Sequence, residues 1–153
     1  MMVRSSDRGQ DPELHLGVLC LIAHRAAETR VMERLHAAGY DDLTVTQARV
    51  FARLGPEGTR VGDLAEQAQV TKQTATALVD QLERRAYVER VADPADQRAR
   101  LVRFAPRGTE ACAVARRAEE EVREEWEAHL GPRAAAQLRS ALEKLREITD
   151  PWA

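Results

Sequence analysis

The sequence predicts a mainly α chain with one small β-hairpin, an α+β arrangement built as a single unit. Three observations carry that prediction. Long stretches on both sides of the middle repeat apolar residues at 3.6-residue spacing. A compact pair of helical segments meets at a short junction, Gln69-Val70. Directly after it, two stretches rich in Val, Leu, Phe and Tyr (87–92 and 99–104) flank the turn-prone Asp93-Pro94-Ala95-Asp96, which reads as a β-hairpin with a longish loop. The length of 153 residues suits one domain, and 44% hydrophobic with 31% charged residues is a globular composition.

The elements follow in order. Residues 1–10 are polar and are expected to be a flexible N-terminus. Asp11-Pro12 reads as a helix start, with Asp as N-cap and Pro at the first helical position. Leu14, Val18, Leu21, Ile22, Ala26, Met32 and Leu35 then recur on one face until Gly39 supplies a stop. A short helix is expected next, capped by Thr46 and carrying Val50, Phe51 and Leu54 before Gly55-Pro56, with Gly58 as a second break. The helix pair spans Val61–Ala68 and Thr71–Ala86, with Ala75, Leu78, Val79 and Leu82 turned inward and Thr71 as cap. After the hairpin the chain looks helical from Arg107 to its end, broken at Gly131-Pro132. One stripe there is Ala111, Ala115, Ala118, Val122 and Trp126; the next is Ala135, Leu138, Leu142, Leu145 and Ile148.

Several functional classes fall away. The N-terminal residues lack the apolar core of a signal peptide, and the longest run free of Asp, Glu, Lys and Arg, Leu14–His24, is about half a membrane span. Cys20 and Cys112 do not make a disulfide framework. A cytoplasmic protein with no membrane partner is expected. No phosphate-binding, dinucleotide, serine-hydrolase or zinc-protease motif occurs, and the four histidines are dispersed, so neither an enzyme nor a metal or other cofactor is expected. The net charge of −2 argues superficially against a nucleic-acid partner. Divided along the chain, it is −2 over residues 1–45, +2 over 46–105 and −2 over 106–153.

That basic middle holds the pattern that points to function. Two helices joined by about three residues and followed at once by a hairpin describe a helix-turn-helix with a β-wing. With the apolar residues of Thr71–Ala86 inward, its opposite face begins Lys72, Gln73, Thr76. Gln can pair with adenine through two hydrogen bonds, Lys can reach guanine or phosphate, and a Thr methyl can meet the thymine methyl. The helix N-terminus and the Thr71 hydroxyl favour a phosphate. The hairpin loop carries Arg98 and Arg100, with Asp96 placed to brace Arg98, and an extended arginine suits the negative potential of a narrow minor groove.

At these residues the chain resembles the MarR-type transcriptional regulators. Asp93-Pro94-Ala95-Asp96-Gln97-Arg98, followed by Leu101-Val102-Arg103-Phe104 and Gly108, resembles that family's wing signature. Leu64-Ala65, Thr71-Lys72-Gln73-Thr74 and Leu82 through Val88 resemble its recognition region. The likeness is close over residues 60–108, and the flanking helices match in number and order. It implies a homodimer on a palindromic double-stranded DNA operator, with residues 11–38 as a dimerisation helix, 44–105 as the winged helix-turn-helix and 106–153 as C-terminal dimerisation helices. It implies DNA contacts by Thr71, Lys72, Gln73, Thr74, Thr76, Arg98 and Arg100, with Asp96 bracing the wing, and a small-molecule effector that releases a repressor from DNA. Gln69 and Ala86 stand where the family commonly has glycine, and Ala105 stands where it usually has a capping Thr. If the two former positions are left-handed, each costs about 1 kcal/mol.

Two alternatives compete. One is a winged-helix module that binds protein rather than DNA. The other is a thiol-based redox-sensing regulator using Cys20, which lies about where the family's hydroperoxide sensors carry their reactive cysteine. Against the latter, Tyr40 and Tyr87 lack those sensors' spacing, and Leu19, Leu21 and Ile22 suggest an apolar burial unsuited to a reactive thiolate.

Overall fold

The computed structural model describes residues 13–152. Among them the chain forms α1 (Leu16–Ala37), α2 (Val45–Phe51), α3 (Val61–Gln67), α4 (Lys72–Arg84), a two-stranded antiparallel sheet of β1 (Val88–Asp93) and β2 (Asp96–Phe104), then α5 (Pro106–Leu130) and α6 (Pro132–Thr149). This is the mainly α fold with a small wing that the sequence predicts.

Two helix starts differ from expectation. Asp11 and Pro12 lie outside the described residues, while Glu13–His15 are not helical and His15 caps α1 by accepting from the Gly17 amide at 3.1 Å. The cap of α2 is Thr44, not Thr46. Thr44 accepts from the Gln47 amide at 3.2 Å while the Gln47 side chain accepts from the Thr44 amide at 3.1 Å, and this reciprocal pair satisfies two otherwise orphaned donors. Ala105 offers α5 no side-chain cap, but Pro106 starts the helix where a missing N–H costs nothing.

One contiguous core joins the elements. Met32 and Leu35 of α1, Leu43, Val50 and Phe51 around α2, Leu64 of α3, Val79 and Leu82 of α4, and Tyr87, Val88, Val102 and Ala111 beyond it are buried together. Phe51 packs edge-on against both Tyr87 and Phe104, with ring centroids 6.1 and 4.8 Å away. Gly108 lets α5 enter this core: a Cβ there would stand 2.0 Å from the Tyr87 carbonyl oxygen, so only glycine fits the crossing.

The apolar stripe along residues 14–35, which the resemblance assigns to a dimerisation helix, is buried within the chain only at its end. Met32 and Leu35 reach the core, whereas Leu16 is 65% and Ile22 54% exposed. Helix α6 has no buried residue: Leu138, Leu142, Leu145 and Ile148 of its stripe are all exposed, and Ala135, Leu138 and Leu142 line an open groove against α5. Ion pairs tie α1 to its neighbours instead, through Arg49 to Glu28 in bidentate geometry at 2.7 and 2.9 Å, and Arg34 to Glu121 at 2.8 Å.

Candidate nucleic-acid interface

The turn between α3 and α4 is made by Gln69, whose φ of 54° is left-handed. The amides of Gln69 and Val70 return to the carbonyls of Glu66 and Ala65 at 3.1 and 3.0 Å, and these bonds close the end of α3. Thr71 then caps α4: its Oγ1 accepts from the Thr74 amide at 3.1 Å and donates to Thr74 Oγ1 at 2.8 Å. Ala75, Val79 and Leu82 anchor the helix in the core. The opposite face is thereby fixed, and Thr71, Lys72, Gln73 and Thr74 are all exposed on it. Thr76 is half-buried and donates its hydroxyl to the Lys72 carbonyl at 2.8 Å, so its methyl is the group left to present.

The wing is attached at both ends. Thr59 pairs with Val102 through bonds of 2.8 and 2.9 Å, which joins the hairpin to the residues before α3. At the tip the loop is tighter than expected. Asp93 lies opposite Asp96, and the register shifts between Ala92 and Asp93, so that residues 97–99 have no partner across the ladder. Arg98 sits in that bulged segment and is exposed. Asp96 Oδ1 accepts from the Arg98 backbone amide at 3.0 Å, so its contact is with the main chain and not with the guanidinium. Arg100 does not project from the tip. It lies within β2 opposite Ala92, and its Nη2 donates to the Arg90 carbonyl at 2.9 Å.

The principal brace is one the sequence did not reveal. Asp93 is 6% exposed; its Oδ2 accepts from Arg60 Nε and Nη2 at 2.9 and 2.6 Å, and its Oδ1 accepts from the Ala95 amide at 2.9 Å. The amide bond and then the guanidinium hold its carboxyl below the usual range. Arg60 lies 33 positions upstream, so no local pattern marks the pair.

Behind α4 lies a polar cluster, also unforeseen. Arg107 of α5 holds Asp42 through both guanidinium nitrogens at 3.1 and 3.0 Å and the Arg85 carbonyl at 2.6 Å, and its guanidinium lies 4.2 Å from the Tyr87 ring centroid. Tyr87 donates its hydroxyl to Asp42; Arg85 donates to the Asp42 carbonyl and to Gln47 Oε1; Gln47 donates to Gln81 of α4 at 2.6 Å. Burial pushes the Asp42 carboxyl up, but hydrogen bonds from Tyr87 and Arg107 outweigh it and the net shift is downward. Burial and the same carboxylate push the Tyr87 phenol well above its ordinary range. Tyr40 and Tyr87 pack together here with ring centroids 6.1 Å apart.

Cys20 is exposed, contrary to the burial expected of it, because nothing in its own chain covers that face of α1. Among the described residues no three His, Cys, Asp or Glu side chains are grouped to hold a metal ion, and no helix is long and apolar enough to cross a membrane.

Comparison with known proteins adds to this geometry. Residues 41–99 match the sequence model of the MarR family. No curated protein sequence matches the chain. Among solved structures, the chain is similar to the transcriptional regulator PA4135, at 27% identity over 89% of this chain and 98% of that one, with a TM-score of 0.68. The fold is also that of a mutant MarR from E. coli complexed with operator DNA, at 23% identity over 85% and 92% of the chains and a TM-score of 0.65. NadR in complex with 4-hydroxyphenylacetate shares it at 23% identity over 91% and 97%, with a TM-score of 0.69.

Proposed function

We propose that this chain, whose residues 41–99 match the MarR family model, is a non-enzymatic, sequence-specific DNA-binding transcriptional regulator of the cytoplasm. One observation carries the reading: an exposed Lys72–Gln73 edge at the capped start of α4 stands beside a wing that is tied down at Thr59 and Asp93 and presents Arg98. Gln73 and Lys72 read base edges in the major groove, the Thr76 methyl meets a thymine methyl, and the Thr71 and Thr74 hydroxyls approach a phosphate. Arg98 enters the minor groove beside them, with Arg100 supporting the wing near the backbone.

The protein acts as a homodimer on a palindromic operator, with half-sites about 10 bp apart. The outward apolar faces of α1 and α6 support the dimer. Its output is repression relieved by a small molecule, a reading supported by the ligand held by NadR, a protein of the same fold.

The test uses genomic DNA fragments selected on the purified protein. Arg98→Ala is expected to weaken binding to the selected fragment at least about tenfold, or roughly 1.4 kcal/mol. Gln73→Ala is expected to bind with relaxed base preference. Unchanged affinity in the Arg98 variant would remove the wing from the interface.

A further inference from the structure

The reading face of α4 carries two acids as well as its candidate contacts. Gln73, Thr76, Asp80 and Glu83 follow one another at spacings of three, four and three residues, and so form one stripe along the helix. Carboxylates on that stripe oppose the approach of phosphates. The structure binds both to a single cation from the wing. Arg90 of β1 gives Nη2 to Asp80 Oδ1 at 2.5 Å and Nη1 to Glu83 Oε2, and its backbone amide donates to Glu83 Oε1 at 3.3 Å. The Arg90 side chain is 19% exposed against 45% and 41% for its partners, so it lies beneath the two acids. Arg100 in turn holds the Arg90 carbonyl.

We propose that Arg90 is a positioning residue for DNA binding: it draws Asp80 and Glu83 together and back from the reading face, and offsets their charge where α4 meets the phosphate backbone. This rests on the DNA-binding reading above. The triad of one arginine and two carboxylates carries a net charge of −1. Removing the arginine makes it −2 and frees both acids to extend along the face, whereas neutralising all three groups brings it to zero.

The experiment measures binding of the full chain to two probes, the selected genomic fragment and a random-sequence duplex, at low and high salt, with thermal unfolding of every variant alongside. Arg90→Gln is expected to bind both probes about tenfold more weakly at low salt, with the deficit shrinking at high salt as screening sets in. The triple variant Asp80→Asn, Glu83→Gln, Arg90→Gln is expected to recover at least wild-type affinity, although it lacks the same arginine. Asp80→Asn with Glu83→Gln, which keeps Arg90, is expected to bind the random duplex more tightly than wild type, and this arm remains informative if Arg90→Gln folds poorly. Wild-type affinity in Arg90→Gln would overturn the proposal, as would a triple variant as weak as the single one, or a double variant no tighter than wild type. Failure of the wild-type chain to bind either probe would overturn the DNA-binding reading itself, and is distinguished by involving no substitution.

Discussion

Gln69 and Ala86 hold left-handed backbone, φ 54° and 62°, at the two ends of the segment that contains the reading helix. Both conformations are enforced by their surroundings. The Ala86 turn returns the Tyr87 amide to the Leu82 carbonyl at 2.9 Å and delivers the Tyr87 ring into the core, so the strain is offset by packing next door. A side chain at such a φ costs about 1 kcal/mol, and glycine removes that cost while adding some unfolded-state freedom. Gln69→Gly and Ala86→Gly are therefore each expected to stabilise the chain by about 0.5–1 kcal/mol, raising the midpoint of thermal unfolding by a few degrees. An unchanged or lower midpoint in either variant would show that the strain is relieved elsewhere. These positions were legible in the sequence because each interrupts a glycine position of the pattern the chain resembles. The Arg60–Asp93 brace was not: its members are 33 positions apart, and each alone looks like a surface charge.

At the scale of elements, the polar cluster around Asp42 connects the loop before α2 to the end of α4 and the first turn of α5. The Asp42 carboxyl titrates lower in the folded chain than in the unfolded one, because Tyr87 and Arg107 donate to its ionised form. Its contribution to stability is thus present above about pH 4, the ordinary Asp value, and is lost as the pH falls through the lowered folded value. Asp42→Asn is expected to cost about 1–2 kcal/mol at neutral pH, since it leaves Arg107 without its anionic partner, and to flatten the stability profile below pH 4. Urea unfolding of both proteins between pH 3 and 7 measures this, and parallel acid limbs would assign the pH dependence to other carboxylates such as Glu28, which Arg49 also holds low. The helices and hairpin themselves were legible from apolar period and turn residues. Their exact starts were less so: Thr44 and Thr46 are equally good caps in isolation, and the choice was made by Gln47, whose buried amide completes the capping pair and reaches Gln81.

At the scale of the whole molecule, the apolar stripes and the single chain's core do not coincide. Leu16 and Ile22 on α1, and Leu142 (46% exposed) and Ile148 (83% exposed) on α6, are spaced as core residues but stay exposed in the single chain. Between α5 and α6, Val122, Trp126, Leu130, Ala135, Leu138 and Leu142 line an open groove of about 380 Å³. Together with the exposed face of α1 this apolar surface supports the proposed dimer, in which a two-fold axis would bring each residue into the interface once from each subunit. Each fully covered Leu or Ile contributes about 1.5–3 kcal/mol, whereas a carboxylate in the same place must lose its hydration. Leu142→Glu is expected to convert the proposed dimer to a monomer in sedimentation equilibrium, while keeping its helix content, because Leu142 lies on the exposed stripe of α6 and outside the buried core. On the proposed dimeric reading, operator affinity should then fall by more than tenfold through loss of the second half-site, and the binding curve should depend on protein concentration in the range where subunits associate. The basic middle segment carries a charge of only +2, too little for one winged module to hold DNA by electrostatics alone at physiological salt. A wild-type chain that sediments as a monomer yet binds the full operator tightly would separate the exposed helical faces from the DNA-binding function.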